Sequence, residues 1–214
     1  DELAPVSKEI EKKCEEVGAN LTSAGVNVSY TAKPGHDFLK AEINYQLLLQ
    51  SVMQSGMSEE EYKKIEEIAS TIEPNDLSVD ALLARGTVLS HRNWIRQNYA
   101  REQTKISWGN FFNEWDILVC PQLATTAIEH DHRKFSERSI MVDNQEQRYF
   151  QQIFWPGLAV NAHLPSTVFP TGLARDGMPV GLQAIGGAYE DKTTIKFAEL
   201  YEEEFKAFVV PNLD

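Results

Sequence analysis

Ser166-Thr167-Val168-Phe169-Pro170 and Val180-Gly181-Leu182-Gln183-Ala184-Ile185 lie on either side of Asp176-Gly177, a dipeptide suited to a tight reversal. Both runs are short, rich in β-branched and other apolar residues, and close to Gly or Pro, so they read as two strands. Beyond them, residues 191–207 place Ile195, Ala198, Tyr201 and Phe205 on one stripe of a helix. Before them, Asp116-Ile117-Leu118-Val119-Cys120-Pro121 is an apolar run stopped by Pro, which suits a buried strand opening into a loop. Strands and helices in such alternation indicate an α/β chain.

Further out, Val6, Ile10, Cys14, Val17 and Leu21 recur at three- and four-residue spacing and form one helix face. Pro5 suits the first turn of that helix and Gly25 its end. Val26 to Tyr30 alternates and is rich in β-branched or aromatic residues, which predicts a strand. Residues 37–55 predict a helix with Phe38, Ile43, Leu47, Leu48 and Val52 inward. Ser58 and Glu61 form a capping box, so another helix starts there. Glu73-Pro74-Asn75-Asp76 ends it. Ser78 caps a long helical stretch towards Trp115, with Gly86 and Gly109 as weak points. Ser139 to Val142 predicts a short strand turning at Asp143-Asn144. Gln145 to Phe154 reads as helical until Pro156-Gly157 interrupts it. The first 115 residues are thus helix-rich with one strand, and 116–214 mix strand and helix.

The 214 residues carry 20 Lys and Arg against 32 Asp and Glu, a net charge of −12. With an isoelectric point near 4.9, such a chain repels phosphate backbones and anionic lipid, which argues against nucleic-acid and membrane-surface roles. Its 42% hydrophobic content suits a packed core. No apolar run is long enough to span a bilayer. The first residues show neither the basic nor the apolar region of a signal peptide, and the two cysteines, Cys14 and Cys120, read as reduced thiols. A cytoplasmic location is therefore expected. The start of the chain, a few residues before a helix and without Met, suggests a cut through a longer polypeptide or a processed product.

Chemistry is sparse. His130-Asp131-His132 lacks convincing third and fourth metal ligands and reads as a polar loop. His163, between Ala162 and Leu164, reads as a partly buried packing residue. No Gly-x-Ser-x-Gly elbow and no Gly-rich phosphate cradle occur. Cys120 ends a strand where a nucleophile can sit, yet a small apolar core residue is the commoner fate of a free Cys.

The stretch Asn161-Ala162-His163-Leu164-Pro165-Ser166-Thr167-Val168-Phe169-Pro170-Thr171-Gly172, followed by Gly177-Met178-Pro179-Val180-Gly181-Leu182-Gln183-Ala184-Ile185-Gly186, resembles the C-terminal signature of the amidase signature family. Asp116 to Pro121 resembles the family's Asp-x-Leu-x-x-Pro-Thr strand, and Ala4 to Ile10 the helix after its central strand. The likeness is tight over 161–190 and loose over 37–115. Three positions depart from the pattern: His163 stands where the family usually has Gly, Ser166 where it has Ala, and Gln122 where it has Thr. A bulkier residue at 163 is expected to reshape the pocket wall.

The resemblance implies the C-terminal part of an amidase signature fold, in which long helices pack on a few strands of a mixed sheet. It implies hydrolysis of carbon–nitrogen amide bonds without a cofactor or a metal. The family's Ser–cis-Ser–Lys triad lies in its N-terminal half, and no Gly/Ser-rich run like it occurs here. The chain alone is therefore expected to be inactive, with the N-terminal half of the same polypeptide as its partner and a small-molecule amide as substrate. Uncovered strands would also favour self-association into a homo-oligomer. Gln122 and Leu123, after the strand-ending Pro121, and Trp155, beside Pro156, are the candidate pocket residues. A stand-alone, non-catalytic α/β binding domain is the alternative from another class.

Overall fold

A computed structural model describes residues 3–211. Its contacts divide the chain into two units, Gly35–Trp108 and the remainder.

The larger unit is built on a three-stranded antiparallel sheet in the order β1 (Ile117–Pro121), β5 (Pro179–Gly186), β4 (Ser166–Leu173). The reversal between β4 and β5 forms at Asp176-Gly177, where Gly177 adopts φ 82° and the Asp176 carboxylate accepts from the Met178 N–H. Leu182 and Ala184, on the central strand, share one face with Phe169 and pack against α1 (Lys8–Ser23) and α7 (Asp191–Phe205). The α1 side of this layer is the face seen in the sequence, Val6, Ile10, Cys14, Val17 and Leu21. Tyr201 meets Phe169 edge-on at 5.0 Å, and its hydroxyl accepts from the Asn20 amide at 3.2 Å. Burial of Phe169 or Leu182, both essentially inaccessible, contributes about 2 kcal/mol each. The opposite face of the sheet carries Cys120 and Ile185 and is covered by α6 (Phe154–Ala162) together with Phe112.

A second antiparallel pair, β2 (Ser139–Val142) with β3 (Gln145–Arg148), turns at Asp143. Asp143 adopts φ 53° and its carboxylate accepts the Lys8 backbone N–H. Ser7 caps α1 through its side chain, and its own N–H donates to the Ala124 carbonyl at 2.8 Å. The start of α1 is thus pinned between this hairpin and the loop that leaves β1.

In the helical unit, α2 (Phe38–Met53) crosses α4 (Val79–Thr87) at Gly86, where a Cβ would fall 2.6 Å from the Gln50 Cβ. Helix α3 (Glu59–Thr71) begins at the Ser58–Glu61 capping box. The stretch after Ser78 divides at 88–90 into α4 and α5 (His91–Phe112), and α5 runs on through Gly109. No helix among the described residues is long and apolar enough to cross a membrane.

Four local expectations change. Val26 to Tyr30 forms no strand, because no neighbouring strand reaches it; instead Tyr30 lies back on α1 so close to Gly18 that a Cβ there would clash with its ring and hydroxyl. Gln145 to Arg148 is the second strand of a hairpin rather than a helix, followed by a 3-10 turn over Tyr149–Ile153. Pro156 does not interrupt a helix. It sits in the first turn of α6, where its missing N–H is one the helix leaves unpaired anyway. Pro5 likewise precedes the Ser7 cap instead of occupying the first turn of α1.

Candidate functional site

Antiparallel register sets Cys120, Gln183 and Val168 side by side across β1, β5 and β4. Gln183 is buried, 1% exposed, in the middle of an otherwise apolar strand. Its Nε2 donates to two backbone carbonyls, Pro121 at 2.9 Å and Trp155 at 2.8 Å. Its Oε1 accepts from the Ser166 hydroxyl at 2.9 Å. One carboxamide therefore locks the end of β1 to the first turn of α6 and both to β4. Buried polar groups persist in cores when their bonds are made, and this one makes three.

The two chain segments locked in this way carry the candidate residues. Gln122 follows Pro121 and is half-buried; its Oε1 is enclosed and has no hydrogen-bond partner among the described residues. Leu123 is exposed and Ala124 is buried. Trp155 is half-buried, meets Phe154 edge-on at 5.3 Å and packs beside Leu158 and Leu164, while its indole Nε1 is enclosed with no partner among the described residues. Val168, on the Gln183 face, stays 54% exposed, so this side of the sheet is only partly covered. Gly181 keeps it shallow, since a Cβ there would lie 3.0 Å from the Val168 Cγ1. The result is a half-open, largely apolar sheet face.

Burial disfavours the thiolate at both cysteines. Burial pushes Cys120 far above the ordinary range, and burial with Glu11 and Glu15 nearby raises Cys14 to about 11. His163 is exposed, not packed, and ends α6 in the left-handed conformation at φ 56°. It lies at the helix terminus, and the Gly usual at this position suits that backbone. In the His130–His132 loop, Asp131 forms a forked pair with Arg133, which holds its carboxyl down near about 2. No group of three His, Cys, Asp or Glu among the described residues is arranged to hold a metal. In the helical unit, His36 Nδ1 lies 3.2 Å from the Ser107 hydroxyl. Burial lowers the His36 pKa, but no third group among the described residues orients the ring, as a catalytic dyad needs.

The pattern described as Amidase matches residues 1–195. The chain belongs to the amidase family. Relatives include a glutamyl-tRNA(Gln) amidotransferase chain of Heliobacterium modesticaldum, 34% identical over 111 residues, which is 51% of this chain and 20% of that protein. The corresponding protein of Brevibacillus brevis is 30% identical over 97 residues, 45% of this chain and 18% of its own length. Among solved structures, an amidase aligns with TM-score 0.65 and 16% identity, covering 94% of this chain and 43% of that one. A bacterial aryl acylamidase of the amidase signature family gives the same TM-score at 15% identity, covering 94% and 41%. The chain thus spans about two fifths of these amidase structures and about a fifth of the curated relatives.

Within an amidase, Ser166 in place of the usual Ala acquires a meaning: its hydroxyl is the third partner of Gln183. Gln183 and Val168 were missed as site residues in the sequence. The signal that could have found them was the lone Gln inside the apolar run Val180–Ile185, a polar side chain that a buried strand accepts only if it is bonded.

Proposed function

We propose that the chain is the C-terminal portion of an amidase acting on carbon–nitrogen amide bonds, and that it supplies sheet and one wall of the substrate pocket. Support comes from the family match over residues 1–195 and from an extent of about two fifths of known amidase structures. The observation that carries the reading is the Gln183 lock, which holds Gln122 and Trp155 at the edge of a half-covered sheet face. Loops at strand ends and helix starts are where ligands gather in α/β proteins. The nucleophile and its base belong to the preceding half of the polypeptide, as the resemblance implies, and the two halves together bind the small-molecule amide.

The test is kinetic, in an intact enzyme that contains this chain. Trp155→Phe and Gln122→Ala are expected to change relative kcat/KM between small and bulky amides while Tm moves little. The 214-residue chain alone is expected to show no turnover. Unchanged selectivity with a large loss of stability would assign both side chains to packing and remove the wall.

A further inference from the structure

The chain passes between its two units at Pro34–Gly35 and at Trp108–Gly109, and a glycine stands at each crossing. Gly35 comes just before Asp37, the N-cap of α2, and Gly109 lies in the last turn of α5. Elsewhere glycine answers a demand of the fold, as at Gly86 with its close approach to Gln50 or at Gly177 with φ 82°. Gly35 and Gly109 meet neither demand. A Cβ at either would find nothing within 4 Å, and neither has a positive φ. Within a helix Gly is also less favourable than Ala, since it keeps more backbone freedom. That freedom sits at element ends, where hinges absorb changes of φ and ψ.

Beside each glycine the chain is held. Pro34 is buried, and Trp108 is 1% exposed. His36 then ties one crossing to the other from inside the helical unit. Its Nδ1 lies 3.2 Å from the Ser107 hydroxyl, 71 residues along the chain. Its ring lies 5.6 Å from that of Trp108 and 4.7 Å from that of Phe38. We propose that Gly35 and Gly109 form a paired hinge on which the helical unit turns as a body, and that His36 is the latch joining the two crossings. Two pivots define one axis of rotation, and a latch between them keeps either from bending alone.

The experiment measures distances between spin labels in the 214-residue chain by pulsed electron resonance. Labels go on Lys63→Cys in α3 and Glu203→Cys in α7, both exposed positions, one in each unit. The native thiols, whose thiolates burial disfavours, stay unlabelled, and a chain without introduced cysteines sets the background. The expected distribution is broader than that of Lys63→Cys with Arg92→Cys, a pair inside the helical unit. Gly35→Ala with Gly109→Ala should narrow it, and His36→Ala should widen it. Gly56→Ala is the matched control: its Cβ would also meet nothing within 4 Å, but it lies within the helical unit, so the width should stay the same. A parent distribution as narrow as the internal pair, a width unmoved by the two hinge substitutions, or an equal narrowing by Gly56→Ala would overturn the hinge. A width unmoved by His36→Ala would overturn the latch. Where that variant fails to fold, Ser107→Ala, which removes only the hydroxyl, is read in the same way.

Discussion

Replacing Gln183 tests the lock directly. Gln183→Leu keeps the volume and removes all three hydrogen bonds of a side chain that is 1% exposed. The Ser166 hydroxyl lies at the surface and regains water. The Pro121 carbonyl is buried and does not, and the Trp155 carbonyl does so only in part. Three net bonds at about 1 kcal/mol each, plus about 1–2 kcal/mol for a stranded carbonyl, give a loss of roughly 4–5 kcal/mol. For a chain of this size that lowers Tm by about 10 °C. Gln183→Glu adds a pH signature. Its carboxylate would face two carbonyl oxygens, so the folded state favours the protonated acid and its pKa rises above the unfolded value of about 4.3. The folded state then binds the extra proton, and stability falls as pH rises through the window from about 4.3 up to the folded pKa. Gln183→Glu should therefore recover stability relative to the parent as pH drops from about 7 to about 4, whereas the Gln183→Leu deficit should stay level. Urea unfolding across that range measures both. A Gln183→Leu chain within about 1 kcal/mol of the parent, or a Gln183→Glu deficit flat with pH, would refute the lock.

His163→Gly should stabilise the chain by about 0.5–1 kcal/mol, because relief of the left-handed backbone outweighs the added freedom of the unfolded Gly. The urea midpoint should rise with an unchanged slope, and an unchanged midpoint would show that His163 bears no strain. Cys14 and Cys120 should resist a thiol-specific disulfide reagent near pH 8 in the folded chain and both react in denaturant, since burial raises both thiols. Rapid reaction of Cys120 in the native state would make it a candidate nucleophile again.

What could be read from the residues was local. The Ser58–Glu61 box declares itself because both partners lie within one turn, and the α1 face because every position repeats at helical spacing. The Asp176-Gly177 reversal is likewise written in the two residues that adopt it. Val26–Tyr30 has the composition of a strand, but a strand exists only where a neighbour pairs with it, and there the chain meets the bare flank of Gly18 instead. Gln145–Arg148 is polar enough to pass for an exposed helix; its strand state comes from the Asp143 turn, whose carboxylate is claimed by Lys8, 135 residues away.

The site is the extreme case of that dependence on distance. Gln183 reaches back 62 residues to Pro121 and 28 to Trp155, so no window of sequence contains the arrangement. Its trace is a single polar residue in an apolar strand, and the departures at Ser166 and His163 become intelligible only once the partners are known. Ser166 adds a bond to the lock, while His163 keeps a left-handed cap that Gly would adopt without strain. The two departures thus act on opposite ends of one short segment, from the close of α6 to the start of β4. One tightens the joint that positions Trp155, and the other costs stability at the far end of α6. Combining His163→Gly with Gln183→Leu should therefore give nearly additive changes in unfolding free energy, because one acts through backbone conformation and the other through side-chain hydrogen bonds. A coupling energy well above about 0.5 kcal/mol in that double-mutant cycle would show that the cap of α6 and the lock at its first turn move as one unit.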